Sequence, residues 1–309
     1  MNYRILILSG GNSNERDVSL TSAAQIAESL QDLAQEIIVI DPAAFCSYQE
    51  MMREIIAHHP DIVFNGLHGA EGEDGRIQAL LSLEKIPYTG SGYRASVLAM
   101  DKYLSGMIAQ SVGVPAPQKI LLRTPDVGRV EIFSGMVGFP FIIKPNDGGS
   151  SVGISLVQDA SGIEPALISA FEQASSVVAE QFIHGRELTV TILDGTPLPV
   201  VEITPRAGWY DYTNKYTQGN TRYDVPAALG KEETKRVQQL ALQVYQVLGC
   251  EVYSRIDFRY DGKEFYFLEV NTLPGMTPLS LTPMAAKAHG LSFQKLLMEI
   301  IRLSLNKQT

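Results

Sequence analysis

Short apolar runs alternate with longer segments of mixed polarity along much of the chain. Near the N terminus, Tyr3 to Leu8, Ile37 to Ile40 and Asp61 to Leu67 are predicted strands, and a segment rich in small residues from about Asp17 to Leu33 is a predicted helix. Strand, turn, helix and strand in this order predict a parallel sheet in an α/β fold. A last helix is predicted from about Ser292 to Leu305.

The most informative pattern lies at residues 254–281, which are predicted to form a β-hairpin. Asp261 and Gly262 are turn residues between two runs of aromatic and β-branched residues. We predict a three-residue loop, 261–263, because side chains alternate between faces with a period of two and a two-residue loop would separate the acidic residues. One face of the hairpin then carries four polar side chains, Arg255, Asp257, Glu269 and Asn271. The two acidic residues, Asp257 and Glu269, are diagonal neighbours on this face.

This polar face has two interpretations. Two carboxylates, Asp257 and Glu269, and the amide of Asn271 lie in a segment without Cys or His, and such oxygen ligands suit magnesium. The alternative is a solvated strand face on which Arg255 and Glu269 form a cross-strand ion pair.

Length and composition restrict the class of protein. A chain of 309 residues suggests two or three domains, and 45% hydrophobic with 19% charged residues is typical of globular proteins. No apolar run reaches the roughly 18 residues of a membrane span. Two cysteines outside any metal-binding spacing, Cys46 and Cys250, fit a reducing cytoplasm. A formal charge of -9 argues against a nucleic-acid partner.

Two glycine-rich segments are candidates for phosphate binding. GGSSVG at residues 148–153 follows a strand that carries Lys144, and we predict the tip of a hairpin whose backbone N–H groups close over phosphates. An ordinary flexible turn is the alternative. The other segment, GGNSNER at residues 10–16 near the N terminus, lacks the GxGxxG spacing of dinucleotide-binding proteins. This disfavours a dinucleotide site with Asp41 as the ribose-binding acid.

Two further segments lie where function is expected. HGAEGEDG at residues 68–75 follows the third predicted strand, at the edge of a parallel sheet where ligands bind, and His68 is its best candidate. Residues 204–227 show no sustained period, and structureless segments of this length usually act as lids.

Seven motifs occur in an order that resembles the D-alanine:D-alanine ligase family of the ATP-grasp superfamily: GGNSNERDVSL, LHGAEGEDG, YTGSG with MDK, GFPFIIKP with GGSSVG, EQFIHGRELTV, DYTNKY and RIDFRYDGKEFYFLEVNTLPGMTPLSL. The resemblance covers nearly the whole chain. It implies three α/β domains, an N-terminal parallel-sheet domain at 1–95, a central domain with the glycine-rich lid at 96–183 and a C-terminal domain at 184–309. ATP would lie between the last two.

The resemblance also implies a role for each matching residue. The expected phosphate and lid contacts are Lys102, Lys144, Ser150, Ser151 and Gly153. The expected adenosine contacts are Glu180, Gln181, Ile183 and, at the ribose, Glu187. Two Mg²⁺ or Mn²⁺ ions would be held by Asp257, Glu269 and Asn271. The expected substrate contacts and catalytic groups are Glu15 and His68 at the first D-alanine, Arg255 and Gly275 at the oxyanion, Lys215, Ser280 and Leu281 at the second carboxylate, and Ser150 with Tyr216 closing the lids onto Glu15.

The activity that this resemblance implies is ATP-dependent ligation of two D-alanines through a D-alanyl phosphate, which supplies a peptidoglycan precursor. It further implies a cytoplasmic homodimer. Lys215-Tyr216 favours the dipeptide over D-alanyl-D-lactate or D-alanyl-D-serine as product. A nucleotide-binding protein without catalysis and an NAD-dependent oxidoreductase are the alternatives from other classes.

Overall fold

A computed structural model describes residues 3–149, 152–206 and 220–307 of the chain. Within these ranges the strands form three sheets that are covered by helices, an α/β arrangement as predicted. In the same ranges, no helix is both long enough and apolar enough to cross a membrane.

The first sheet is parallel and contains the N-terminal strands. Its order is β2-β1-β3, with β1 at Arg4–Leu8, β2 at Glu36–Ile40 and β3 at Ile62–Asn65. The helices of this region are α1 (Arg16–Leu30), α2 (Tyr48–Ala57) and α3 (Arg76–Leu83). Residues 5–8 of β1 form a continuous apolar run because side chains on both faces of the sheet are buried. The predicted strand–helix–strand unit is confirmed, although α1 ends three residues earlier than predicted.

The second sheet is antiparallel, in the order β4-β7-β5-β6. Its strands are β4 (Lys119–Leu122), β5 (Phe141–Pro145), β6 (Ser155–Val157) and β7 (Val177–Gln181). Two helices, α4 (Tyr93–Met100) and α5 (Lys102–Ser111), precede it, and α6 (Val127–Val137) and α7 (Ile163–Phe171) pack on one face. Because β5 and β6 are antiparallel neighbours, the glycine-rich segment between them connects a hairpin, as predicted.

The third sheet carries the hairpin of residues 254–281. Its order is β11-β10-β8-β12-β13, and the short β9 pairs with β8. The strands are β8 (Arg186–Leu193), β9 (Thr196–Pro197), β10 (Val201–Pro205), β11 (Thr221–Asp224), β12 (Tyr253–Tyr260) and β13 (Phe265–Asn271). Helix α8 (Lys231–Val247) covers one face, where Val237 and Ala241 share a core with Phe258 and Phe267.

The prediction of one structureless loop over residues 204–227 is wrong at both ends. Pro205 pairs with Thr221 and Ile203 with Tyr223, so β10 and β11 form an antiparallel pair that flanks the segment. Only four residues of β11 contribute, which is too short a stretch for a period of two to be recognised in the sequence. The predicted lid itself falls largely on residues 207–219, which lie outside the described residues.

The last helix of the described chain packs against the N-terminal sheet. Helices α9 (Leu281–Ala288) and α10 (Phe293–Asn306) follow the hairpin, and Leu297, Ile300 and Ile301 of α10 share a hydrophobic core with Ile5 and Phe64 of the first sheet. The C-terminal helix thus packs on N-terminal strands. The domain boundaries at residues 95 and 183 fall between sheets and stay predictions.

Candidate active site

The loop of the β12–β13 hairpin is longer by one residue than predicted. Tyr260 pairs with Phe265, so residues 261–264 form the turn. The Asp261 carboxylate accepts the backbone N–H groups of Lys263 and Glu264, both at 2.8 Å, which fixes this turn. The predicted three-residue loop is therefore wrong, and so is the register it implies, in which Tyr260 would pair with Glu264 and Arg255 with Glu269.

A β-bulge restores the predicted face. The register shifts between Asp257 and Phe258, which leaves Leu268 as the extra residue of β13. Asp257 lies directly opposite Glu269, rather than diagonal to it, and Arg255 lies opposite Asn271. The extra loop residue and the bulge together shift the pairing by two residues. Since two is the period of side-chain alternation, the four polar side chains still share one face.

Asp257 is held in one orientation by its neighbours. Arg255 donates two hydrogen bonds to its carboxylate, from Nε at 2.9 Å and from Nη2 at 2.8 Å. Thr189, its partner on β8, donates from Oγ1 to Oδ1 at 2.5 Å. Sequence reasoning did not identify Thr189, because its position opposite Asp257 depends on the β8–β12 pairing. Asp257 is only 7% exposed, so it is a buried charge that is satisfied by a cation.

Lys102 connects the glycine-rich segment to the hairpin. Asp101 caps α5 by accepting the Leu104 N–H at 2.8 Å, and this places Lys102 at the first position of the helix. The Lys102 Nζ lies 3.4 Å from Glu269 Oε2 and donates to the Gly148 carbonyl at 2.5 Å. The amine is buried between two sheets and neutralises an acid of the hairpin.

Glu180 lies between two lysines on the second sheet. Lys144 Nζ donates to Oε1 at 2.7 Å, and Lys119 Nζ lies 2.8 Å from Oε2. Burial alone would raise the pKa of Glu180, but the two ammonium groups lower this pKa below its ordinary value. Burial lowers the pKa of Lys119, and Glu180 opposes that effect. Sequence reasoning identified Lys144 and Glu180 and missed Lys119, whose place beside Glu180 depends on the strand order.

The other predicted adenosine contacts lie where the second sheet meets the third. Gln181 ends β7, Ile183 is buried, and Glu187 Oε2 lies 3.3 Å from Arg259 Nη2 on the facing strand. A cleft of about 330 Å³ opens here, and its lining includes Phe182, His184, Glu187, Ile203 and Arg259. An aromatic ring beside a carboxylate offers a stacking surface and an acceptor for hydroxyl groups.

His68 is buried and held as the neutral imidazole. Its Nδ1 is 3.0 Å from the Leu273 carbonyl, which can only accept, so Nδ1 donates. Nε2 then accepts from Ser22 Oγ at 3.2 Å. Burial lowers the pKa of His68. Because Leu273 follows the hairpin, His68 joins the end of β3 to the third sheet.

Glu73, in the same HGAEGEDG segment, is a site residue that sequence reasoning missed. Its Oε1 accepts the Gly69 N–H at 2.9 Å and lies 3.9 Å from His68 Nδ1. Burial, followed by the nearby Glu15 carboxylate, raises the pKa of Glu73 to about 8. An acidic cluster after a strand is the only signal in the sequence, and the cluster does not reveal which acid is buried.

Glu15 precedes α1 and approaches the glycine-rich segment. A Cβ built on Gly149 would lie 2.6 Å from Glu15 Oε2, and one on Gly69 would lie 2.7 Å from it. Ser13 positions this loop, since its Oγ donates to the His68 carbonyl at 2.6 Å and accepts the Glu15 N–H at 3.2 Å. The structure therefore brings Glu15, His68 and the segment 148–149 together, and side chains at either glycine would crowd the carboxylate.

The predicted subsite for the second carboxylate lies at the start of α9. The first N–H groups of an α-helix have no partner within the helix. Ser280, the residue before α9, makes no side-chain capping hydrogen bond to them. Instead, Ser280 Oγ accepts the Thr277 N–H at 3.2 Å. A Cβ on Gly275 would lie 3.1 Å from Ser280 Oγ, and Leu281 is buried. Helix N-termini of this kind bind anions.

Four of the predicted site residues lie outside the described residues: Ser150, Ser151, Lys215 and Tyr216. Gly153 lies within them, at φ +72°, and a Cβ there would come within 2.9 Å of Gln173 Cγ and 3.0 Å of Pro145 Cγ. Both the backbone conformation and the space favour glycine at this position.

The hairpin face fits magnesium. Two opposed carboxylates and an amide supply hard oxygen ligands, and Asn271 Oδ1 is oriented by accepting the Leu273 N–H at 3.0 Å. The described part of the chain contains no cluster of three or more His, Cys, Asp or Glu suited to a metal. Mg²⁺ sites commonly take one or two protein carboxylates and complete their coordination with water and phosphate oxygens.

Comparisons with known proteins identify the relatives of this chain. Residues 43–91 match the family described as "D-ala D-ala ligase N-terminus", and residues 108–302 match "D-ala D-ala ligase C-terminus". A D-alanine--D-alanine ligase of Halalkalibacterium halodurans is 40% identical over 98% of this chain and 100% of its own length. That of Nitrosomonas europaea is 42% identical over 97% of each chain.

Solved structures extend the similarity to the fold. The D-alanine--D-alanine ligase of Bacillus anthracis complexed with ATP has a TM-score of 0.86 and 34% identity, covering 98% of this chain and 97% of that one. The VanG D-Ala:D-Ser ligase of Enterococcus faecalis has a TM-score of 0.83 and 30% identity, covering 98% and 100%. The predicted ATP-grasp fold class is confirmed, and the chain belongs to the D-alanine–D-alanine ligase family.

Proposed function

We propose that this protein joins two D-alanines to D-alanyl-D-alanine with conversion of ATP to ADP and phosphate, and so supplies a precursor of peptidoglycan. The observation that carries the proposal is the convergence of all three sheets. Lys102 reaches Glu269 on the hairpin, and Glu15 from the N-terminal region reaches the glycine-rich segment at Gly149. Family membership sets the reaction class, and this convergence supports the residues to which we assign it.

ATP is proposed to lie between the second and third sheets. Its adenine would contact Glu180, Gln181 and Ile183, and Glu187 would accept hydrogen bonds from the ribose hydroxyls. Lys102 and Lys144, with the backbone of Gly153 and the neighbouring Ser150 and Ser151, would hold the phosphates. Two Mg²⁺ or Mn²⁺ ions bound by Asp257, Glu269 and Asn271 would neutralise phosphate charge.

The first step activates a carboxylate. A carboxylate oxygen of the first D-alanine attacks the γ-phosphorus, the bond from that phosphorus to the β–γ bridging oxygen breaks, and ADP leaves with the electron pair. Such a transfer needs charge neutralisation and alignment more than covalent catalysis. Lys102 and Lys144 would supply the positive charge, and Glu15 would hold the substrate ammonium group beside His68.

The second step forms the peptide bond. The amine nitrogen of the second D-alanine attacks the carbonyl carbon of the acylphosphate, and a tetrahedral oxyanion develops that Arg255 and the Gly275 N–H would stabilise. The bond from carbon to the phosphate oxygen then breaks, phosphate leaves, and the amine gives up a proton. Ser280, the N-terminus of α9 at Leu281, and Lys215 would receive the carboxylate of the second substrate.

Exclusion of water is required because an acylphosphate hydrolyses. The closeness of the Glu15 carboxylate to Gly149, where an added Cβ would lie 2.6 Å from Oε2, supports closure of the glycine-rich segment over the first D-alanine. Ser150 and Tyr216 would complete this closure.

We also propose that the chain is divided at residues 95 and 183 into three domains and that it forms a homodimer. Sedimentation equilibrium measures the oligomeric state directly.

The function is tested by phosphate release and product analysis with D-alanine, D-lactate, D-serine and L-alanine in parallel. We expect phosphate release that depends on D-alanine, with D-alanyl-D-alanine as the main product. A preference for D-serine as second substrate would favour the activity named for the VanG relative. ATP binding without D-alanine-dependent ADP release would contradict the ligase assignment.

A further inference from the structure

Lys119 is a buried cation to which the proposed reaction assigns no role. It begins β4 directly opposite Glu180 on β7, and its side chain is 6% exposed. Its Nζ lies 2.8 Å from Glu180 Oε2 and donates to the Lys102 carbonyl at 3.3 Å. Both partners of Lys119 therefore belong to the proposed nucleotide site.

The neighbouring helix leaves space for this ammonium group. Gly106 lies inside α5, where glycine is less favourable than alanine by about 1 kcal/mol. A Cβ on Gly106 would lie 2.9 Å from Lys119 Nζ and 3.2 Å from its Cε. The space that a side chain would fill is occupied by the end of Lys119, so the helix and the lysine fit each other.

Glu180 has one more cationic partner than its single negative charge needs. One buried carboxylate is contacted by two ammonium groups, Lys119 and Lys144. If Lys144 turns toward the phosphates of bound ATP, Glu180 loses one of these partners. Without a second cation the carboxylate would be left buried and unpaired, which is strongly unfavourable. With Lys119 in place it remains ionised and acceptor-only, which is the form that can accept an N–H from adenine.

We propose that Lys119 is a positioning residue for nucleotide binding: it remains the counterion of Glu180 and thereby releases Lys144 to the phosphates. This inference rests on the proposed function in that it places ATP beside Glu180. It does not depend on which amino acid is ligated.

The test is a double-mutant cycle in ATP affinity, measured by calorimetry without D-alanine. In Lys119→Met, which keeps an unbranched side chain but removes the ammonium group, the Kd for ATP should rise at least about 10-fold, equivalent to 1.4 kcal/mol. In a Glu180→Gln background there is no carboxylate to neutralise, so adding Lys119→Met should change the Kd by less than about twofold. Equal losses in both backgrounds, or an unchanged Kd in the single variant, would overturn the proposal.

A second variant displaces the ammonium without removing it. Gly106→Ala should push Lys119 Nζ away from Glu180 and weaken ATP binding in the same direction. Gly135→Ala is the matched control, because Gly135 also lies inside a helix, α6, and a Cβ there would meet nothing within 4 Å. Equal ATP affinity of the two alanine variants would contradict the proposed placement.

Thermal unfolding separates this role from a purely structural one. If Lys119 had only a structural role, Lys119→Met would lower the melting temperature and leave the ATP affinity of the folded protein unchanged. That outcome would contradict the inference. A failure of the proposed ligase reaction is recognised separately, since it would show as absent D-alanine-dependent phosphate release in the wild-type protein with the ATP cycle intact.

Discussion

Asp257 and Glu269 face each other across β12 and β13, and a different cation lies beside each carboxylate. Arg255 lies two residues before Asp257 on the same strand, whereas Lys102 reaches Glu269 from α5. The two acids also differ in exposure. The Asp257 side chain is 11% exposed and that of Glu269 is 32% exposed. Substitutions at these two positions should therefore have different consequences for stability.

Glu269→Gln should abolish turnover with little effect on folding. The variant keeps the side-chain shape but loses one charge of the proposed metal site, and we expect a decrease in kcat of at least about 100-fold, comparable to the loss of one preorganised electrostatic group. Asp257→Asn should decrease kcat similarly and also destabilise the fold, because it leaves Arg255 without its carboxylate. Steady-state kinetics and urea unfolding of both variants are the measurements. Glu264→Gln, at the exposed tip of the same hairpin, is the control. Activity within a few-fold of wild type in Glu269→Gln would remove this residue from the metal site.

Glu187→Ala should weaken ATP binding and leave D-alanine binding unchanged. The lost hydrogen bonds to the ribose hydroxyls correspond to about 1 to 3 kcal/mol, so the KM for ATP should rise several-fold or more while kcat at saturating ATP changes little. The two Michaelis constants, measured separately, provide the internal control. If the KM for D-alanine rises and that for ATP does not, the ribose assignment is wrong.

Asp41→Asn should loosen the loop that carries Glu15. Asp41 accepts hydrogen bonds from Arg16 and from the Gly11 N–H, and the Arg16 guanidinium lowers the pKa of its carboxyl to about 2. A lowered pKa means that this pair stabilises the fold above the ordinary carboxyl pKa and that the stabilisation is lost as pH falls toward 2. Because the pair is partly exposed, we expect a loss of about 1 kcal/mol at pH 7.

The measurement for Asp41→Asn is urea unfolding at pH 7 and at pH 3. The difference from wild type should shrink at pH 3, and the KM for D-alanine should rise at pH 7. Asp32→Asn, in the exposed turn after α1, is the control and should change neither quantity. A constant difference between the two pH values would contradict the assigned ion pair.

Glu73→Gln should change how stability depends on pH. Burial raises the pKa of Glu73 to about 8, so the wild-type protein is most stable, with respect to this group, below the ordinary carboxyl pKa. It loses free energy of unfolding as pH rises from about 4.5 to 8, by up to about 4 kcal/mol. Glutamine cannot ionise, and the variant should lack this loss.

Urea unfolding at pH 5 and pH 8 tests the prediction, with Glu84→Gln at the exposed end of α3 as control. The wild type and the control should lose more stability between these pH values than Glu73→Gln does. Equal losses in all three proteins would show that Glu73 is ionised throughout this range.

The sequence alone sufficed for features that depend on local pattern. The alternation of apolar and polar residues located the parallel N-terminal strands, the glycine-rich hairpin between β5 and β6, and the polar face of β12 and β13. The predicted polar face of the hairpin is correct although the predicted register is wrong by two residues, because side chains alternate between the faces of a strand with a period of two. The ordered motifs identified the family, and the comparisons confirm it.

Tertiary structure decided what depends on pairing between distant segments. The bulge at Leu268, the packing of α10 on the first sheet, and the place of Lys119 beside Glu180 follow from strand order and core packing. A lysine at the start of a strand has the same local signal whether it is solvated or buried against a carboxylate. Only the β4–β7 pairing distinguishes the two cases, because contacts between residues far apart in the chain leave no periodic trace in a single sequence.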